Sequence, residues 1–281
     1  MVVGRAAGDA RRVSGASDAG TALAAGAKRR ARPQPLAGQW NQVGTNLHND
    51  AADHARGADE PERLGPARAT AQGWVDGRAV RRAAALALAL AFVPGAYLVA
   101  AGGWPILALG VASVLCAVLY TGGPWPLAYV GLGEVFVVGF FGLGAVAGTA
   151  FVQTGSAGVE AVVVGLALGL VAAGILTVNN LRDREGDARA GKRTLVVRLG
   201  ARFARVEHAV CLLLPFALFV ALWARDGRAG WLLPLAALPL AAREVVLVRR
   251  ADGRDLNPRL GGAARVELAL ALLLALGVAV A

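Results

Sequence analysis

The feature that most constrains the fold is a series of seven apolar stretches, each near the length needed to cross a membrane. About twenty apolar residues in a helix span the hydrocarbon core of a bilayer. Hydrophobic residues make up 56% of the chain, more than is usual in a soluble domain. The sequence therefore predicts an all-α, polytopic transmembrane helix bundle. The predicted spans cover residues 83–101, 105–121, 127–152, 158–179, 204–224, 230–248 and 263–281.

The first forty residues differ from the rest of the chain, because charges interrupt every apolar stretch. No apolar core follows a basic start, which excludes a secretory signal peptide. We expect residues 1–40 to be a disordered or mistranslated leader and residues 41–281 to form the membrane domain. Residues 39–53 have the pattern of the end of a helix, which adds one partial N-terminal span to the seven.

A polar cluster follows the fourth predicted span. Residues three and four apart share a helix face, so the pattern predicts that its carboxylates and amides project together at the membrane boundary. Carboxylate and amide oxygens suit a hard cation such as Mg²⁺, which also takes water and phosphate oxygens as ligands. Lys192 and Arg193, just downstream, are of the type that binds phosphate. The cluster consists of Asn179, Asn180, Asp183 and Asp187.

A second polar cluster of the same Asn-x-x-x-Asp form precedes the first span. It comprises Asn49, Asp50 and Asp53 on one predicted helix face, with Gly57 ending the helix and Asp59 in the following loop. One such cluster on its own is more often a solvated helix end. Two clusters, each beside an apolar span and each followed by arginines, favour a site for a metal-bound diphosphate.

The net charge of +10 is explained by membrane topology and not by nucleic-acid binding, because the basic residues lie between apolar spans. Four spans separate the two clusters, so both face the same side of the membrane. Most loop arginines lie on that side, whereas the opposite loops contain only Arg225 and Arg228 as cations. The positive-inside rule therefore predicts cytoplasmic active-site loops in a multi-pass protein of the cell membrane.

Three further features lie within or next to the predicted spans. Gly144-x-x-x-Gly148 and Gly165-x-x-x-Gly169 predict close helix packing. Glu134 is an ionisable group in an apolar run, which is typical either of a residue lining a chamber or of a paired structural carboxylate. His48 precedes the first cluster, and since a lone histidine there is more often a packing residue, we exclude it from the site.

Several motifs, in order, resemble those of the UbiA superfamily of intramembrane prenyltransferases, and most closely its naphthoate branch in menaquinone biosynthesis. The resemblance covers about residue 41 to the C-terminus. Its motifs are Gly44-Thr45-Asn46-Leu47-His48-Asn49-Asp50, Gly57-Ala58-Asp59, Arg63-Leu64-Gly65-Pro66-Ala67-Arg68, Tyr120-Thr121-Gly122-Gly123-Pro124, Gly131-Leu132-Gly133-Glu134, Asn179-Asn180-Leu181-Arg182-Asp183, Gly191-Lys192-Arg193-Thr194-Leu195 and Leu256-Asn257-Pro258.

The resemblance implies nine helices around a cavity that opens laterally to lipid. It implies transfer of a polyprenyl group from polyprenyl diphosphate to 1,4-dihydroxy-2-naphthoate, with decarboxylation, giving demethylmenaquinone. The first helix and most of the second are not recognisable here, and Ala51 stands where an aromatic residue is usual. An acceptor such as 4-hydroxybenzoate, a cation transporter and an inactive remnant are the alternative readings.

Under this interpretation the two clusters hold Mg²⁺ against the diphosphate, and nearby cations neutralise the charge that grows on the leaving group. The base that assists deprotonation is an aspartate of the clusters or Glu134. The predicted catalytic residues are Asp53, Asp183, Asp187 and Lys192. The predicted metal ligands are Asn49, Asp50, Asp53, Asn180, Asp183 and Asp187. The predicted diphosphate-binding residues are Arg63, Arg68, Arg182, Lys192 and Arg193.

Overall fold

A computed structural model describes residues 34–55, 64–65, 70, 72–121 and 126–280. The described residues form helices joined by turns, and no β-strand occurs among them. The α-helices are α1 Gln34–Ala55, α2 Gly77–Gly102, α3 Trp104–Thr121, α4 Gly133–Val137, α5 Ala145–Thr154, α6 Val159–Arg189, α7 Leu195–Asp226, α8 Leu238–Arg250 and α9 Asn257–Val280. Short 3₁₀ helices cover Leu127–Tyr129, Ala229–Ala237 and Gly253–Leu256, and a π-helical segment covers Val138–Gly144.

Six helical units of the described chain are long and apolar enough to cross a membrane, which confirms the predicted all-α polytopic class. They are Gly77–Gly102, Gly133–Thr154, Val159–Arg189, Leu195–Asp226, Ala229–Arg250 and Gly253–Val280. The remaining predicted span, 105–121, is an apolar helix that falls just short of the same length. Large apolar side chains such as Phe92 and Val93 point outward, as expected for helices surrounded by lipid.

Helix α1 begins at Gln34, inside the predicted leader, and packs along α2. The contact is close because Gly44 lies against Leu88, and a Cβ at Gly44 would come within 2.7 Å of the Leu88 side chain. The side of α2 that faces the protein is made of small residues, Val80, Ala84, Ala87 and Ala91. This packing holds the first polar cluster, at the end of α1, next to the rest of the bundle.

Helix α6 is the centre of the bundle and contacts α7, α9 and the π-helical segment. Apolar side chains from α6, α7, Ala229–Ala237, α8 and α9 form one buried core, which includes Val171, Leu212, Phe219 and Leu270. A smaller core around Val178, Val196 and Leu256 lies beside the polar end of α6. The second polar cluster therefore lies on a helix that is fixed on several sides.

Glycines bring the π-helical segment and α6 into backbone contact, as the Gly165-x-x-x-Gly169 motif predicts. A Cβ at Gly142 would lie 2.4 Å from the Gly165 carbonyl oxygen and 2.7 Å from the Gly169 Cα. The Gly144-x-x-x-Gly148 motif instead faces the Leu109 side chain of α3. Close packing is thus confirmed for both motifs, although each has a different partner.

Helix α7 changes direction at Gly200, whose φ of 84° is in the left-handed region that favours glycine. Thr194 caps the first turn by accepting a hydrogen bond from the Val197 backbone N–H. The turn between Thr194 and Gly200 therefore lies at an angle to the long apolar part of α7, which begins near the predicted boundary at residue 204. This arrangement brings residues 191–194 back toward the polar end of α6.

Candidate active site

One cavity of about 250 Å³ is lined by both polar clusters. Helix α1 contributes residues from the first cluster, α6 contributes residues from the second, and the turn after α6 closes one side. Two segments separated by about 130 positions in the sequence thus meet at one site, as the topology argument predicts. The lining residues are Asn46, Asn49, Asp53, Tyr120, Ala128, Gly131, Gly133, Glu134, Leu176, Asn179, Asn180, Lys192 and Thr194.

The three residues of the first cluster do not all face this cavity. Asn49 and Asp53 line it, and Asp53 is buried, with Oδ1 accepting a 3.3 Å hydrogen bond from the Tyr129 hydroxyl. Asp50 instead accepts a 2.7 Å hydrogen bond from the Thr70 hydroxyl, which is buried beside α1. Asp50 is therefore directed toward the segment that follows the first cluster, and Asn49 and Asp53 are directed toward the cavity.

Asp187 is the most buried carboxylate of the second cluster. Its Oδ1 lies 3.5 Å from the Lys192 Nζ, and its Oδ2 is buried without a hydrogen-bond partner. Electrostatic repulsion acts on Asp187 from Asp183 and also from Asp53 on α1. A buried carboxylate oxygen without a partner is costly, so this site favours a bound cation.

Asn180 and Glu134 form a buried pair on the cavity wall. The Asn180 Nδ2 donates a 2.8 Å hydrogen bond to the Glu134 Oε1, and both side chains are at most 6% exposed. Glu134 therefore lines the chamber and is also a paired carboxylate, so both interpretations of this residue hold together. Tyr120, on the same wall, is within electrostatic range of Glu134, Asp53 and Asp187.

Arg182 is directed toward protein partners and does not line the cavity. Its guanidinium contacts both carboxylate oxygens of Asp183, at 2.8 and 2.6 Å, and also donates to Asn179 and Asn257. Four hydrogen bonds leave at most one of its five N–H groups for a ligand. The sequence predicts that Arg182 binds a diphosphate, but its side chain is engaged by these protein groups instead.

The turn after α6 brings Lys192 to the cavity, with its Nζ 5.9 Å from the centroid of the Tyr129 ring. The backbone of Arg193 is held on both sides: its N–H donates to the Tyr129 carbonyl, and its carbonyl accepts from the Arg198 Nε. The Arg193 side chain is exposed and does not line the cavity. Of the two predicted phosphate-binding residues in this turn, Lys192 is thus the one directed at the site.

Arg63 and Arg68, also predicted to bind diphosphate, lie outside the described residues, as does Asp59. His48, which we excluded from the site, has its Nε2 3.2 Å from the Val118 carbonyl oxygen, as expected for a packing residue. Within the described part of the chain, no three Asp, Glu, His or Cys side chains come close enough together to ligate one metal ion. Of the predicted acidic ligands, Asp53 lines the cavity, whereas Asp50, Asp183 and Asp187 contact Thr70, Arg182 and Lys192, respectively.

The sequence reasoning missed Tyr129 and Asn46. Asn46 precedes Asn49 by three residues, so the helical spacing that grouped the cluster also predicts its place on the cavity face. Glu207 was missed as well, although it is an acid within a predicted span; its Oε2 accepts a hydrogen bond from the Thr177 hydroxyl at 3.3 Å. The rule that drew attention to Glu134, that an ionisable residue in an apolar span is a candidate functional residue, applies equally to Glu207. No comparable signal was available for Tyr129.

Comparison with known proteins gives a consistent result. Residues 37–280 match the model of the UbiA prenyltransferase family. The chain is 34% identical to the 1,4-dihydroxy-2-naphthoate octaprenyltransferase of Haemophilus influenzae, over 84% of this chain and 79% of that protein. The protein of that name from Escherichia coli is 35% identical, over 84% and 80% of the two chains, and that from Mycobacterium tuberculosis is 37% identical, over 83% and 79%.

Proposed function

Because the chain belongs to the UbiA prenyltransferase family, we propose that it transfers a polyprenyl group from polyprenyl diphosphate to 1,4-dihydroxy-2-naphthoate. The reaction removes the carboxylate of the acceptor and gives the demethylmenaquinone skeleton of menaquinone biosynthesis. The acceptor is supported by the names of relatives that are 34–37% identical over most of this chain. The observation that carries the chemistry is a cavity lined by residues of both clusters, Asn49 and Asp53 from the first and Asn179 and Asn180 from the second.

A divalent cation fits the donor set of this cavity. Oxygen atoms of carboxylates and amides dominate the polar lining, and the Asp187 Oδ2 is a buried acceptor without a protein partner. These are the ligands that Mg²⁺ prefers, and its remaining positions suit water and diphosphate oxygens. We assign the ion to Asn49, Asp53 and Asn180, which line the cavity, and to Asp183 and Asp187 at the same end of α6. The predicted ligand Asp50 is left out, because its carboxylate is directed toward Thr70 and not toward the cavity. When bound, Mg²⁺ would supply electrostatic stabilisation of the departing diphosphate.

Lys192 would stabilise the charge that develops on the diphosphate as the allylic carbon–oxygen bond ionises. Its ammonium lies at the cavity, close to Asp187 and Tyr129. A preorganised donor aimed at a developing anion is typically worth roughly 3–4 kcal/mol of transition-state stabilisation. Arg63 and Arg68 complete the proposed diphosphate-binding set. The predicted residues Arg182 and Arg193 are left out of it, because neither side chain lines the cavity and Arg182 is held by Asp183, Asn179 and Asn257.

Polyprenyl diphosphate has an apolar tail that favours lipid and a charged diphosphate head that favours a polar site. The position of the cavity suits both parts. The cavity lies where the polar end of α6 continues from an apolar span. A polyprenyl chain can therefore stay among apolar helix surfaces while the diphosphate lies among ions and amides. We propose that this end of the bundle faces the cytoplasm and that the protein resides in the cell membrane.

The acceptor ring would lie against the wall formed by Glu134 and Tyr120. The Glu134 carboxylate is held by Asn180, which fixes its orientation toward the cavity. A carboxylate there can accept a phenolic proton, which makes the ring more electron-rich when the allylic cation forms. The allylic carbon bonds to the ring carbon that bears the carboxylate as the diphosphate leaves. Loss of that carboxylate as carbon dioxide restores aromaticity, Glu134 returns the proton to the ring oxygen, and the product is the hydroquinone form of demethylmenaquinone.

The test is prenyl transfer in membranes that contain this chain, supplied with Mg²⁺, a long polyprenyl diphosphate and 1,4-dihydroxy-2-naphthoate. We expect a prenylated, decarboxylated naphthalene product from the parent chain and none from Asp183→Ala. Asp255→Ala is the matched control, because Asp255 is an exposed carboxylate on the turn before α9. Product formed from 4-hydroxybenzoate instead of the naphthoate would overturn the assigned acceptor.

A further inference from the structure

Asn257 joins three chain segments that meet at the polar end of the bundle. It is the first residue of α9 and belongs to a motif, Leu256-Asn257-Pro258, to which the proposed reaction gives no role. Its Oδ1 accepts a 3.0 Å hydrogen bond from Arg182, and its Nδ2 donates a 2.9 Å hydrogen bond to the Leu64 carbonyl. Both ends of one side-chain amide are therefore used to connect α6, α9 and the segment that follows the first cluster.

Arg182 carries this connection to the second cluster. Its side chain is only 1% exposed, and a buried guanidinium is tolerated only when its charge and its N–H groups are satisfied. The fork of Nε and one terminal nitrogen holds both oxygens of Asp183, and the same terminal nitrogen donates to the Asn179 Oδ1 at 2.7 Å. Arg182 thereby fixes the rotamers of two side chains of the second cluster, Asp183 and Asn179, and Asn179 lines the cavity.

We propose that Arg182 and Asn257 form a strap that positions Asp183 and Asn179 for the divalent cation. This inference rests on the proposed function, because it assigns the strap to the site that binds the diphosphate. Each oxygen of the Asp183 carboxylate has two lone pairs, and the strap uses one on each, so acceptor capacity remains for a cation. Outer partners of this kind typically change metal affinity by about 10- to 100-fold.

A lysine in place of Arg182 would not reproduce the strap. Its ammonium is a point charge, whereas the planar fork reaches Asp183 and Asn257 at the same time. Arg182→Lys therefore keeps a positive charge beside Asp183 while removing the geometry. Asn257→Leu keeps the size of the side chain and removes both of its hydrogen bonds. These two variants act on the same strap from opposite ends.

The experiment measures Mn²⁺ binding to the purified full-length chain in lipid nanodiscs by water-proton relaxation, together with the melting midpoint. We expect Asn257→Leu and Arg182→Lys each to raise the Mn²⁺ dissociation constant about tenfold. In prenyl-transfer assays we expect the Mg²⁺ concentration for half-maximal rate to rise by a similar factor, with kcat at saturating Mg²⁺ changed by less than about threefold. Asp255→Ala should match the parent in every readout.

Unchanged Mn²⁺ affinity in both variants, with only a lower melting midpoint, would overturn the strap as a positioning device and leave it a structural contact. If Asn257→Leu does not fold, Arg182→Lys alone decides the question. A parent chain that binds Mn²⁺ but does not prenylate the naphthoate would sink the proposed function, and the strap would still be judged by the Mn²⁺ affinities. A parent chain that binds no Mn²⁺ would overturn the strap proposal itself.

Discussion

The side-chain amide of Asn180 donates a 2.8 Å hydrogen bond to the Glu134 carboxylate, and both residues line the cavity that the two polar clusters share. A carboxylate inside a membrane bundle is costly unless a partner satisfies it. Asn180 is that partner, and it lies in the second cluster, so a predicted metal ligand also sets the orientation of the proposed base. Changes at either residue should therefore affect the other.

Glu134→Gln tests whether the carboxylate acts chemically. The glutamine oxygen can still accept the hydrogen bond from Asn180, so the wall of the cavity should keep its shape. We expect kcat with the naphthoate to fall about 100-fold, because general-base catalysis typically contributes about 10²- to 10⁴-fold. The KM for polyprenyl diphosphate should stay near that of the parent chain. A kcat close to the parent value would leave Glu134 with a structural role only.

Lys192→Gln tests the cation at the cavity. Lys192 lies 3.5 Å from Asp187, and we propose that it contacts the diphosphate. Charge-assisted hydrogen bonds are typically worth about 1.5–3 kcal/mol, so kcat/KM for polyprenyl diphosphate should fall about 10- to 100-fold. Arg202→Gln is the control, since it removes one cation from an exposed position on α7. An equal decrease of kcat/KM in the two variants would indicate a general effect of removing a positive charge, and not a contact between Lys192 and the diphosphate.

Tyr129→Phe tests the link between the clusters. The change removes only the hydroxyl that donates to Asp53, while the ring beside Lys192 remains. We expect the Mg²⁺ concentration for half-maximal rate to rise about two- to tenfold, as loss of one hydrogen bond of about 0.5–1.5 kcal/mol implies. Tyr97→Phe, on an exposed part of α2, is the matched control. An unaltered Mg²⁺ dependence would argue against a role for the Tyr129 hydroxyl.

Gly142→Ala tests the close approach of the π-helical segment to α6. The added methyl group would meet the Gly165 carbonyl and the Gly169 backbone, which cannot rotate away. We expect a loss of about 1–3 kcal/mol in stability, measured as a lower melting midpoint in nanodiscs. Gly139→Ala is the control in the same segment, because nothing lies within 4 Å of a Cβ at that position. Similar midpoints for the two variants would contradict the packing argument.

Removal of divalent cations tests the oxygen-rich site as a whole. Since Asp183 and Asp53 repel Asp187, and the Asp187 Oδ2 is buried without a hydrogen-bond partner, a cation should be needed to hold the diphosphate. We expect EDTA to abolish prenyl transfer and added Mg²⁺ to restore it. Full activity in EDTA would show that prenyl transfer needs no divalent cation. Lys192 and the arginines would then remain as the proposed diphosphate-binding groups.

Much of the fold could be predicted from the sequence because the bilayer imposes a simple rule. An apolar run of about twenty residues must form a helix that crosses it, so the order of the runs gives the order of the helices. The even number of spans between the clusters predicts that both lie on one side. The spacing of Asn49 and Asp53 predicts that they share a helix face, and both indeed line the cavity.

The contacts that orient the polar side chains required the tertiary structure. Asp50 accepts from Thr70, Arg182 is held by Asp183 and Asn257, and Tyr129 meets Asp53 and the turn at Arg193. These partners come from segments far apart in the chain, and the periodicity of one helix does not predict which of those segments will contact it. The sequence by itself determined the helices and the chemical groups at their ends, because hydrophobicity and helical spacing are local properties. Only the packing of α1, α6, α7 and α9 decided which of those groups face the cavity and which hold one another in place.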